Sequence, residues 1–151
     1  MRLRLAAIGL LFAAVLPVSL AHANEEDPSA LIGELMAFHG SETIVTVMST
    51  HCYETTGLDP AFRVAAENWQ VRNIGFLDLA DRVIERLGGA EEGQRQTAQT
   101  YAGTQIMSAY NQAEDQRRFC RDFLAKLEEG GFDIDVALPG PLAEAQQISS
   151  N

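Results

Sequence analysis

Basic side chains are scarce in this chain. Lys and Arg together number 11 against 21 Asp and Glu over 151 residues, a formal net charge of −10 at pH 7. So acidic a surface repels nucleic acid and anionic lipid headgroups, which makes both poor partners. Cysteine is nearly absent, with Cys52 and Cys120 alone. No Cys-x-x-Cys occurs, so covalent haem attachment and thioredoxin-type exchange lack their motif. There is no Asn-x-Ser/Thr sequon, which points to bacterial export over a eukaryotic secretory route. Gly-x-Ser-x-Gly, His-Glu-x-x-His and glycine-rich phosphate loops are missing too, and with them the usual signatures of hydrolases and nucleotide enzymes. No residue pattern supports assignment to a known family.

What is present begins with an export signal. Arg2 and Arg4 precede an apolar run from Leu5 to Leu16, and Ala21-His22-Ala23 supplies small residues at the −3 and −1 positions. The run ends at Pro17 and is short of the ~20 residues a membrane-spanning helix needs. Cleavage after Ala23 leaves 128 of the 151 residues and removes two arginines, so the mature charge becomes −12. Asn24, not cysteine, then leads the chain, which argues against a lipid anchor. The expected address is periplasmic or secreted, with no membrane contact after cleavage.

The longest regular helical pattern lies between Asp59 and Leu87. Phe62, Ala66, Trp69, Asn73, Phe76, Ala80, Val83 and Leu87 alternate steps of four and three, which places them on one stripe. Asp59-Pro60 opens this helix with a capping carboxylate and a ring suited to the first turn, and Gly88-Gly89 closes it. Its outer face carries the pairs Arg63/Glu67, Asp78/Arg82 and Asp81/Glu85, read as an ordinary solvated surface. Before it, Leu31, Leu35, Phe38, Val45, Met48 and Cys52 predict a helix over Pro28 to Tyr53, with a kink near Gly40 as an open alternative. After it, Ile106, Tyr110, Ala113, Cys120, Leu124 and Leu127 predict a third helix running from Glu91 to Glu129. Phe132, Ile134, Val136 and Leu138 alternate with polar residues and then meet Pro139-Gly140-Pro141, which reads as an extended strap with a frayed tail. The expected organisation is a signal peptide over 1–23, a helical domain over 24–131 and a strap and tail over 132–151. The fold class is all-α, an antiparallel three-helix bundle with one disulfide.

Short turns force neighbouring helices antiparallel, so positions at equal height can be levelled across each turn. Cys120 then comes level with residue 58 and Cys52 with residue 60, which places both sulfurs at one end of the bundle. In an oxidising compartment an even cysteine count favours a bridge, and this one would close a loop of 69 residues. The same levelling sets Asn73 beside positions near 39 and 105, where all three helices lose apolar character. His39, Trp69, Arg72, Asn73, Gln105 and Tyr110 are therefore candidates for a small polar pocket. The competing account is a satisfied polar layer that sets helix register.

Met36-x-x-His39 and Met48-x-x-His51 pair thioether with imidazole, a donor set that suits copper. At about 100° per residue, however, the two pairs point about 120° apart, so the four residues are weak metal candidates and no cofactor is assigned. His39 or His51 would have to act as base in any enzyme, and neither has a nucleophile in a recognisable motif. The reading is a non-catalytic binding or interaction module of unknown partner and oligomeric state. Its alternative is a small-ligand or copper carrier that uses the mid-bundle polar level.

Overall fold

The computed structural model describes residues 27–151, and the described chain is all-helical. The expected signal peptide lies outside the described residues, as does the capping side chain expected of Asp59. No described helix is long and apolar enough to cross a membrane. Six helices appear among the described residues where three were expected: α1 Pro28–Thr56, α2 Asp59–Arg86, α3 Gln94–Gln112, α4 Gln116–Glu128, α5 Ile134–Ala137 and α6 Pro139–Ser150.

α1 opens on Asp27, whose carboxylate accepts the Ser29 N–H at 3.0 Å. That backbone hydrogen bond holds the Asp27 carboxyl below the usual carboxylate range. The helix is continuous through Gly40. Glycine serves there as a point of close approach, because a Cβ at Gly40 would stand 3.1 Å from the Ala102 Cβ of α3. The β-branched run Thr43 to Val47 stays helical, with Thr43 Oγ1 donating to the His39 carbonyl. Gly57, at φ 72°, turns the chain into α2. Of the expected α2 stripe, Phe62, Trp69, Asn73, Ala80 and Val83 are buried, and Ala66, Phe76 and Leu87 are half-buried.

The expected third helix is two helices. α3 starts only after Gly93, at φ 78°, and ends where Ala113 turns extended. Asp115 then begins α4 by accepting the Arg118 N–H at 2.9 Å, a capping role that Ala113-Glu114-Asp115 satisfies better than a helix interior would. α3 packs on α1 and runs in the same direction, with Ala98 and Ala102 beside Gly40, and Gly103 beside Thr43. It buries a single side chain, Tyr110.

The strap is a correction as well. Residues 134–137 make one helical turn, and residues 139–150 make a full helix whose fixed start is Pro139. Leu138, Leu142, Ala145 and Ile148 form its inner stripe, with Leu142 and Ala145 buried. This spacing of four, three and three outweighs the short two-residue alternation before it. α4 and α6 share the groove between α1 and α2. α4 fills the end near the cysteines, α6 fills the end where Arg86 donates to the Ile148 carbonyl, and α5 joins them.

Cys52 and Cys120 are bridged, with Cα atoms 5.3 Å apart and both residues fully buried. A mass label for free thiols should therefore modify neither cysteine until reductant is added. Replacing both by Ala should lower the unfolding free energy by about 4 kcal/mol on the chain-entropy model, read from urea melts.

Candidate functional site

Three clusters of polar side chains lie within or beside the bundle, and five of the six expected pocket residues are divided among them; Gln105 belongs to none. Trp69, Arg72 and Asn73 come together on α2, facing the loop between α4 and α5. The Trp69 indole N–H donates to the Phe132 carbonyl at 2.9 Å. Asn73 is fully buried. Its Oδ1 accepts the Ile134 N–H at 2.7 Å, and its Nδ2 donates to the Trp69 carbonyl at 2.8 Å and to Asp133 at 3.1 Å. Arg72 holds Asp133 with two nitrogens, at 2.6 and 2.9 Å, and also donates to the Leu127 carbonyl at 3.2 Å.

Burial pushes the Asp133 carboxyl up, but the hydrogen bonds from Arg72 and Asn73 and the guanidinium charge outweigh it, so the carboxyl sits below its usual range. The hydrogen bond to Asp133 likewise raises Arg72. The Trp69 indole, the Asn73 amide and Nε and Nη2 of Arg72 are all spent on the protein itself. Its chemistry is that of a clamp, with Asp133 the essential member that sequence reasoning had placed in a strap. An Asp just after Gly130-Gly131 and just before an apolar residue was the available signal, as a helix-start residue.

His39 belongs to a second cluster. It meets Asp81, eight positions along α2 from Asn73, with Nε2 to Oδ1 at 2.8 Å. Its Nδ1 lies 3.1 Å from Arg95 of α3, and Arg95 also pairs with Asp81. Glu42 stands 3.9 Å from Nδ1. Asp81 is thus no simple solvated charge.

Tyr110 is in a third cluster, at the disulfide end. Its hydroxyl lies 2.9 Å from Thr55 Oγ1 and donates to Gln116 at 3.2 Å, and its ring meets His51 edge-on with centroids 4.5 Å apart. Gln105 is exposed. Met36 and Met48 are core residues and their histidine neighbours are engaged as above. No group of three or more His, Cys, Asp and Glu is arranged to hold a metal among the described residues. Ser49 is the exception to this pattern of satisfaction: its buried hydroxyl has no partner among the described residues, and no packing feature accounts for it.

One open groove, of about 830 Å³, lies between α1 and α3. Thr43 and Val47 line one side, and Gln99, Gly103, Thr104 and Met107 the other. All eleven lining residues are uncharged, on a chain of net charge −10. Small residues keep the groove shallow, while carboxamides and hydroxyls ring a thioether and methyl floor. This surface is suited to hydrogen-bonding an uncharged polar partner and carries no acid, base or nucleophile beyond hydroxyls. No protein-family model, curated protein or solved structure matches the chain.

The clamp makes two measurable claims. Asn73→Ala orphans the Ile134 N–H and opens a buried gap, and should cost about 3 kcal/mol in urea melts. Because the folded Asp133 carboxyl is depressed, its contribution is complete above the unfolded carboxylate value of about 3.9 and is lost as pH falls through the lower folded value. Asp133→Asn should therefore be less stable than the parent at pH 7, and the gap should close as acid protonates the folded Asp133 carboxyl.

Proposed function

We propose that the protein is an exported, non-catalytic binding module that engages an uncharged polar partner surface through the α1/α3 groove. The observation that carries this reading is the charge-free lining of the groove on an otherwise strongly acidic chain. Carboxylates elsewhere on the surface favour solvation over contact, whereas carboxamides and hydroxyls exchange water for partner groups at small cost. Support also comes from α3 itself, which contributes one buried residue to the core and leaves most of its length for contact. An oxidised cysteine pair fits an address outside the reducing cytoplasm.

The alternative of a ligand or copper carrier at the mid-bundle polar level has less support, since Trp69, Arg72 and Asn73 direct their hydrogen bonds at the 127–134 segment. A hydrolytic reading that employs His39 meets a ring whose two nitrogens already face Asp81 and Arg95.

Photo-crosslinking in the producing cells tests the assignment. A photoreactive residue at Gln99 or Thr104 should trap a discrete adduct, and one at Val71, which is 76% exposed on the outer face of α2, should not. Adducts from Val71 alone, or from none of the three positions, would overturn the groove. Adding Cu(I) or Cu(II) to the purified protein should leave the melting temperature unchanged; a rise of several degrees would favour the carrier instead.

A further inference from the structure

We propose that His39 is a pH-operated latch that holds the first turns of α3 against α1 and α2 when its imidazole is neutral and releases them when it is protonated. The hydrogen-bond roles around the ring are determined by its partners. Arg95 has only donors to offer, so its 3.1 Å contact requires an unprotonated Nδ1. Asp81 has only acceptors, so the 2.8 Å contact requires a proton on Nε2. The neutral Nε2–H tautomer therefore satisfies both nitrogens of a ring that is only 3% exposed.

Protonation adds a hydrogen at Nδ1, directly against the Arg95 guanidinium. Donor then faces donor and cation faces cation. Glu42 Oε2, 3.9 Å from Nδ1 on the next turn of α1, is the acceptor positioned to take that proton's hydrogen bond. The charged groups around the ring are Glu42 on α1, Asp81 on α2 and Arg95 on α3; among the described residues no carboxylate of α4 or α6 comes within 4 Å of it. The two carboxylates favour an imidazolium, and Arg95 and the burial of the ring oppose it. Proton uptake is thus coupled to departure of Arg95 from Nδ1.

α3 is the element able to respond. Its far end is held by Tyr110, while its near end is held by Arg95 and the close small-residue seam at Gly40. Gly93, at φ 78°, precedes the helix and supplies a hinge. Gln96, one residue from Arg95, lines the α1/α3 groove, so release of the first turns alters the groove. The latch itself does not depend on what the groove binds.

Amide exchange on the full mature chain tests the proposal. Between about pH 7.5 and about pH 5, protection factors over residues 94–100 should fall roughly tenfold, after correction for intrinsic exchange, while those of α2 from Trp69 to Leu77 hold. His39→Gln keeps a donor for Asp81 and cannot titrate, so its α3 protection should be independent of pH. Arg95→Met, a substitution at a half-exposed side chain, should show the low protection at both pH values. Unchanged wild-type protection, or the same pH response in His39→Gln, would overturn the latch. Imidazole nitrogen shifts of the wild type give an independent reading, and a proton on Nδ1 at pH 7.5 would overturn it as well.

Discussion

Docking of the loop between α4 and α5 onto α2 is the constraint on which the architecture depends. α1 and α2 are 29 and 28 residues long and enclose a groove of roughly 40 Å at 1.5 Å per residue. The helices that fill it are half as long, α4 with 13 residues and α6 with 12. Two short rods laid end to end leave a junction in the middle of the core, where backbone groups lose their helical partners and are shielded from water. Asn73, Trp69 and Arg72 supply those partners to Ile134, Phe132 and Leu127. A buried amide that would be a liability in a plain bundle seam is here the condition for closing the core.

Filling the groove this way displaces α3. With α4, α5 and α6 occupying the space between α1 and α2, α3 rests mainly on the flank of α1. That flank is lined by small and uncharged residues. Gly40 lets α3 approach closely, yet α3 fully buries only Tyr110, and apolar burial is what stabilises a helix against its neighbour. The peripheral position explains how one stretch comes to hold the charge-free groove and also to depend on a few polar ties, the Arg95 contacts at one end and the Tyr110 contacts at the other.

Much of the helical content was legible because apolar spacing in α1 and α2 is long and regular, and the burial of Phe38, Trp69, Ala80 and Val83 follows that spacing. The disulfide was expected from levelling three rods across two turns; the bridge forms, but through α4 and not through a continuous third helix. The break at Ala113 to Asp115 was harder to see because Tyr110, Ala113 and Cys120 keep helical phase across it, and a capping Asp resembles any surface Asp. The C-terminal helix was masked by Pro139-Gly140-Pro141, which reads as a breaker in mid-chain but as a favourable start when it stands at the first turn. Of the candidate site, Trp69, Arg72 and Asn73 share one cluster. His39 and Tyr110 lie elsewhere because levelling set them at the wrong height: His39 meets Asp81, eight positions farther along α2 than Asn73, and Tyr110 stands at the disulfide end beside Thr55.

Periodicity, charge and the cysteine count are properties of the chain read in one dimension. They determined that the protein is helical, acidic and able to form a single bridge, because burial of an apolar stripe and repulsion among like charges hardly depend on which neighbour covers which face. Pairings between residues far apart in the chain are another matter. That Asp133 answers Arg72 and Asn73, that Asp81 turns to His39 and Arg95, and that α3 lies outside on α1 were decided only when α4 and α6 competed for the same groove, since hydrogen bonds and ion pairs act over a few ångströms and form only where packing brings their partners together.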